Sequence, residues 1–343
     1  MAKHKKRTFS HEQPSFEPVN WKELIGYTHL FDRFQSVRQR NRFPAGLLIE
    51  GREGLGKRVF AAALSSLFYC ETKNACGQCS GCADVLGFRH EDLLWLEEDG
   101  GTIKVDMAQR VQEHLEIQAS QHAGSEARIV VIVDFDKMTR SAANRLLKII
   151  EEPPEHAYVI MTSSRPAHIL PTILSRVVRL KVEPPKAEDM IGWLRERAGD
   201  QNPDLLQMAM KYAGQAPGKA RGFMEASERI LNDFRLLEGA FEAQDPFEAL
   251  DKIEESVKQP KVSAIDLAHR IEVILNQRYR SELGLKRDFL ENGGHGSASR
   301  QSSLTMRKEW RELLRRVKAL SGGGKVPLNA QLVAESWILA RFG

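Results

Sequence analysis

The stretch Gly51-Arg52-Glu53-Gly54-Leu55-Gly56-Lys57-Arg58 constrains this chain more than any other. An apolar run, Gly46-Leu47-Leu48-Ile49, precedes it and reads as a buried strand, while Val59-Phe60-Ala61-Ala62-Ala63-Leu64 follows and reads as a helix. A glycine turn between strand and helix, closed by a lysine, is a phosphate cradle: backbone N–H groups at the helix start face an anion, and the ammonium adds charge. The pattern Gly-x-x-x-x-Gly-Lys next calls for Ser or Thr, whose hydroxyl holds Mg²⁺. Here the residue is Arg58, which has no lone pair for a metal and brings a competing cation. Gly51, Gly54, Gly56 and Lys57 are the candidate contacts for ATP or ADP, and no Mg²⁺ site is expected. The competing reading of these residues is a glycine turn with no ligand.

The other half of such a site is an acid at the end of a neighbouring strand. Asp134 stands there, directly after Ile129-Val130-Val131-Ile132-Val133. A working ATPase of this type carries Glu next, to polarise the attacking water. This chain carries Phe135, which accepts no proton, and Asp136 follows one residue later. Thr162, after the apolar run Tyr158–Met161, is placed to face a γ-phosphate beside Asp134. With both the metal hydroxyl and the base missing, a degenerate site without turnover is expected. An active ATPase using Asp136 as base is the alternative.

The surrounding pattern alternates strand and helix. Strands are expected at 47–49, 129–133, 158–161 and 177–180, and helices at 58–69, 105–117 and 141–152. Pro153-Pro154 stops the last helix. Strands that are apolar without alternation belong to a parallel sheet covered on both faces. Pro184-Pro185 marks a linker, after which the pattern is helical to the end. The fold class is therefore α/β followed by all-α. The expected division is a basic tail over 1–19, a sheet domain over 20–183, a small three-helix domain over 184–228, and a helical domain over 229–343. A Gly/Ser-rich loop is expected near 291–303, then a helix with Arg307, Lys308, Arg311 and Arg315 on its solvated side. The 343 residues have room for these domains, and a net charge of +4 does not by itself argue nucleic-acid binding. The basic tail is not followed by the apolar segment of a secretion signal, and no run is long enough to cross a bilayer, so the expected compartment is the cytoplasm.

The four cysteines cluster as Cys70-x₅-Cys76-x₂-Cys79-x₂-Cys82, with Gly77 and Gly81 available for tight turns. Four thiolates this close close a tetrahedral Zn²⁺ site with no open position, which is structural. An iron–sulfur run would continue into Cys-Pro, which is missing here. Disulfides are the remaining use. A zinc-dependent DNA-binding module would need basic residues nearby, and only Lys73 qualifies.

Taken in order, these pieces resemble the delta-prime subunits of bacterial DNA polymerase III clamp loaders, within the AAA+ family. The resemblance rests on Gly51–Lys57, on the four-cysteine insert after the loop helix, on Asn144-Arg145-Leu146-Leu147-Lys148 through Glu151-Glu152-Pro153-Pro154, and on Thr172-Ile173-Leu174-Ser175-Arg176. Asn329-Ala330-Gln331-Leu332 fits the family's last helices more loosely. The resemblance implies an AAA+ domain, a helical lid and a C-terminal collar, with bound zinc at the cysteines. It implies a subunit that does not hydrolyse ATP and that supplies Arg176, with Ser175, as an arginine finger to the site of a neighbouring motor subunit. Implied partners are gamma/tau-type motor subunits and the delta subunit through the collar, with the sliding clamp and primed DNA reached indirectly and no membrane. The implied setting is the cytoplasm, at the nucleoid. The motor subunits' lid arginine has no clear counterpart: Gly218 stands near that place, with Lys219 beside it.

Overall fold

The computed structural model describes residues 24–98, 101–116, 127–198, 212–243 and 245–257, together with 206, 209, 210, 270 and 271. The chain divides into two compact units, Met1–Trp193 with Gln215–Gly218, and Leu194–Gly214 with Lys219–Gly343.

The first unit is built on a five-stranded sheet in the order β2-β3-β4-β1-β5. Its strands are β1 (Gly46–Glu50), β2 (Leu93–Leu96), β3 (Arg128–Ile132), β4 (Ala157–Ser163) and β5 (Val178–Lys181). Every pairing is parallel. Side chains alternate across a strand, so an all-apolar strand feeds two cores. Leu47, Ile49, Ile129, Val131 and Ile160 pack on one face with α1 (Thr28–Gln39) and α2 (Lys57–Tyr69). Leu48, Val130, Ile132, Val159 and Met161 pack on the other with α4 (Val105–Glu116), α5 (Arg140–Glu151) and α6 (Pro171–Leu174). A short α3 (Ser80–Leu86) sits between α2 and β2 in sequence. The expected strands and helices of this unit are present to within two residues of their expected ends, with the fourth strand as β5; α1, α3 and β2 are additional. Thr139 caps α5, its hydroxyl accepting from the Ala142 N–H at 3.2 Å.

One polar cluster lies inside this unit. Asp92 is fully buried and pairs with Arg128 at 3.2 Å. The Tyr69 hydroxyl donates to the Asp92 carbonyl at 2.7 Å, and His114 Nε2 lies 3.1 Å from the same oxygen. The His114 Nδ1 is 3.4 Å from an Arg128 nitrogen. His90 stacks on Tyr69 with ring centroids 3.8 Å apart, a packing role.

After Pro184-Pro185 come α7 (Ala187–Ala198), helical positions at Leu206, Ala209, Met210, Tyr212 and Ala213, and α8 (Pro217–Glu225). The second unit adds α9 (Ser227–Glu242) and α10 (Pro246–Val257), which pack together around Phe234, Leu237, Ala240, Ala249 and Ile253. Asp245 starts α10, its carboxylate accepting from the Glu248 N–H at 3.1 Å, with Pro246 at the first helical position. Asp233 and Arg270 form a buried ion pair in this unit. The expected tail over 1–19, the loop near 291–303, the cationic helix face and the Asn329–Leu332 segment lie outside the described residues. No helix among the described residues is long and apolar enough to cross a membrane.

Candidate functional site

A parallel sheet gathers its chemistry outside the carboxyl ends of its strands, and the register here places three segments at that edge. Ile49 aligns with Thr162 and Glu50 with Ser163, while Ile132 aligns with Met161, so the loop after β1, the loop after β3 and the end of β4 converge. Gly54 and Gly56 hold the loop with φ near +80°, a conformation that suits glycine, and Gly56 caps α2. Lys57 is the first residue of α2 and is 6% exposed. Its ammonium donates to the Gly51 and Arg52 carbonyls and to the Ser164 hydroxyl, each at 2.9 Å. Three donors thus meet three acceptors, and an incoming phosphate oxygen would have to replace one of them. Two more loop carbonyls are engaged: Gly54 accepts from the Gly218 N–H at 2.8 Å, and Leu55 from the Tyr27 hydroxyl at 2.5 Å. Gly218 thus meets the loop through its backbone.

Arg58 occupies the position of the metal-binding hydroxyl. Its Nε meets Glu97 at 2.7 Å, and Trp95 Nε1 donates to the same carboxylate oxygen at 2.9 Å. The guanidinium also lies 5.2 Å from the Phe88 ring centroid and 5.9 Å from that of Trp95. The side chain that replaces the hydroxyl therefore ties α2 to the end of β2.

Thr162 is buried and accepts the Asp134 N–H at 3.0 Å, holding that residue's unusual backbone (φ +52°) against β4. The Asp134 carboxylate pairs with Lys137 at 2.8 Å. Phe135 is 2% exposed and packs into the core on the α4–α5 face. Asp136 accepts from the Ser163 hydroxyl at 2.7 Å, the Ser164 N–H at 3.1 Å and Arg165 Nε at 3.1 Å. Burial opposes its charge, but these hydrogen bonds outweigh burial and hold its pKa below the ordinary carboxylate value. A carboxylate so engaged organises a turn and is a poor base. Ser164 joins the two halves, its N–H on Asp136 and its hydroxyl on Lys57.

Ser175 and Arg176 follow α6, and their contacts share no residue with the Lys57 cluster. The Ser175 hydroxyl donates to the Thr172 carbonyl at 3.0 Å. Arg176 Nη1 donates to that carbonyl at 2.9 Å and to the Ser175 oxygen at 3.2 Å, and its Nε pairs with Glu151 at 2.6 Å. The Arg176 side chain is 39% exposed.

The four cysteine sulfurs lie within 4.8 Å of one another, with no disulfide among them. Backbone N–H groups point at them: Cys76 at Cys70 Sγ (3.3 Å), and Gln78 and Cys79 at Cys76 Sγ (3.5 and 3.4 Å). Burial opposes ionisation of Cys70, yet hydrogen bonds from Thr72 and the neighbouring backbone lower its pKa to about 5. Burial pushes Cys82 the other way. Gly81 makes the cluster compact: a Cβ there would lie 2.0 Å from the Tyr69 carbonyl oxygen. Four convergent sulfurs with N–H donors around them are a set that can hold a soft or borderline metal ion.

Four functional neighbours were not legible beforehand: Ser164, Glu97, Glu151 and the Gly218 backbone. Glu151 lies in the run that ends at Pro153-Pro154 and Ser164 two residues after Thr162, but nothing in the spacing pairs Ser164 with Lys57 or Glu151 with Arg176. Glu97 carries no local signal.

A family model described as DNA polymerase III, delta subunit, matches residues 26–186. The delta' subunit of Escherichia coli (strain K12) DNA polymerase III is 30% identical over 196 residues, covering 55% of this chain and 57% of that protein. The Bacillus subtilis (strain 168) delta' subunit is 31% identical over 174 residues, 49% of this chain and 52% of that protein. The chain thus spans about half the length of the curated relatives it matches. A crystal structure of a DNA polymerase III gamma subunit-related protein from Thermotoga maritima aligns with a TM-score of 0.50 at 20% identity, covering 90% of this chain and 98% of that one. That likeness shows the fold alone, a parallel sheet with flanking helices. Residues 26–186 are thus similar to the DNA polymerase III delta-subunit family model and to the delta' subunits of these bacteria.

Proposed function

We propose that this delta-prime-type chain is a non-hydrolysing subunit of a DNA polymerase III clamp loader, and that it supplies Arg176 in trans to the ATP site of a neighbouring motor subunit. The reading is carried by one contrast. Each group that would run turnover in this chain is engaged elsewhere: Arg58 on Glu97, Phe135 in the core, Asp136 on Ser163, Ser164 and Arg165. Arg176, by comparison, stays at the surface at the end of a short helix, on a hydroxyl, a carbonyl and the exposed carboxylate of Glu151. A guanidinium at such a seam stabilises the charge that develops on the transferred phosphoryl, an effect worth about 10³–10⁵ in rate at the site it serves. The Gly51–Lys57 loop then serves as structure, or binds ATP or ADP without turning it over.

The same reading makes the cysteine cluster a structural Zn²⁺ site in which Cys70, Cys76, Cys79 and Cys82 hold the ion; bound zinc would fix the turn between α2 and α3 and supply no chemistry to substrate. The chain from residue 229 onward is the collar that meets gamma/tau-type and delta subunits, through which the clamp and primed DNA are reached. The functional test is steady-state ATP turnover. The purified chain should be silent, and Lys57→Ala should leave that silence unchanged. Turnover abolished by Lys57→Ala would instead establish an active ATPase.

A further inference from the structure

We propose that Glu151 is a positioning residue that parks Arg176 on its own subunit until a neighbour's triphosphate displaces it, a proposal that rests on the reading of Arg176 as a trans finger. The pair is set by two rigid elements. Glu151 is the last residue of α5, whose end is fixed by the Glu152 N–H on the Lys148 carbonyl at 2.9 Å and by the prolines that follow. Arg176 follows α6, and Ile149, Ile150 and Ile173 bind the two helices into one core. The carboxylate and guanidinium therefore meet at 2.6 Å because the backbone brings them together.

The pair is also breakable. The two side chains are 39% and 43% exposed, so water screens their attraction. Nη1 is held by Thr172 and Ser175, Nε by Glu151, and Nη2 has no partner among the described residues. An arriving phosphate can engage Nη2 first and then replace Glu151. A triphosphate carries more charge than one carboxylate and binds where water is excluded, so the exchange runs toward the phosphate. While Glu151 holds the guanidinium, the neighbour's site lacks its finger for part of the time.

The test uses a reconstituted loader containing the full chain, with ATPase measured with and without primed DNA and clamp. Glu151→Gln keeps the shape and removes the charge. An exposed pair is worth no more than about fivefold in an equilibrium. The DNA-free rate should therefore rise by about two- to fivefold, and the ratio of stimulated to DNA-free rate should fall correspondingly. Damage to the fold would lower both rates, and so would not reproduce this. Glu151→Gln combined with Arg176→Ala should match Arg176→Ala alone. A Glu151→Gln rate equal to or below wild type, with Arg176→Ala still impaired, overturns the parking role and leaves the finger standing. An Arg176→Ala loader with a normal rate overturns the finger reading itself.

Discussion

Arg58 is one residue whose identity decides what its site can do. A hydroxyl in its place would restore a metal ligand, yet Arg58→Thr leaves Glu97 without its cation and Phe135 still in the position of the base. The variant should remain inactive in ATP turnover, and should lose about 1–3 kcal/mol of stability because Glu97, only 12% exposed, is left without its cation; a urea titration and a turnover assay read both. Restored turnover from this single change would show that the base is supplied by another group. His114 gives a second prediction. Burial, and then the neighbouring Arg128, lower its pKa from 6.5 to about 4. It stays neutral in the folded chain at a pH where the unfolded chain has taken up a proton. Stability should therefore fall as pH drops from about 6.5 to 4, by up to about 1.4 kcal/mol per pH unit. Burial shifts His90 in the same direction. Asp136, with its lowered pKa, acts only at still lower pH, where protonation removes its contribution. Urea midpoints at pH 7 and pH 5 should differ, and His114→Gln should reduce the difference. An unchanged difference in the variant would assign the acid sensitivity to other groups.

Among the elements, the short connection between α2 and α3 is the most sharply constrained. Gly81 lies against the Tyr69 carbonyl so closely that even a methyl group would force the two helices apart. Gly81→Ala should cost about 1–3 kcal/mol by overpacking and should lower the metal content of the purified chain. Elemental analysis and thermal melting test this, with wild type expected to carry one zinc per chain. A variant with full zinc and an unchanged melt would refute the close packing. The elements differ in how legible they were. β1, β3 and β4 declared themselves because a strand buried on both faces must be apolar throughout, and α5 because an amphipathic period ends at a double proline. β2 has only four residues between acidic neighbours, too few for a period to register. α1 has a weak apolar stripe, and its packing depends on aromatic contacts such as Phe34 with Phe43 and Phe60. At the site, the glycines, Lys57 and the cysteines were legible because local geometry requires them at fixed spacing. The partners Glu97, Ser164 and Glu151 come from distant chain segments, and only the assembled sheet brings them near.

At the scale of the molecule, the sheet gathers the Lys57 loop, Asp134, Asp136 and Thr162 at the carboxyl ends of β1, β3 and β4, and Arg176 presents itself in a separate set of contacts. The first holds this chain's own loop in internal hydrogen bonds, and the second is, on the proposed reading, offered to a neighbouring subunit. The most direct measurement is the DNA-stimulated ATPase of a reconstituted loader in which this subunit carries Arg176→Ala and every other subunit is wild type. The account predicts that assembly is unimpaired and that turnover falls by the share of the one site the finger serves. A loader that assembles normally and turns over ATP at the wild-type rate would contradict it.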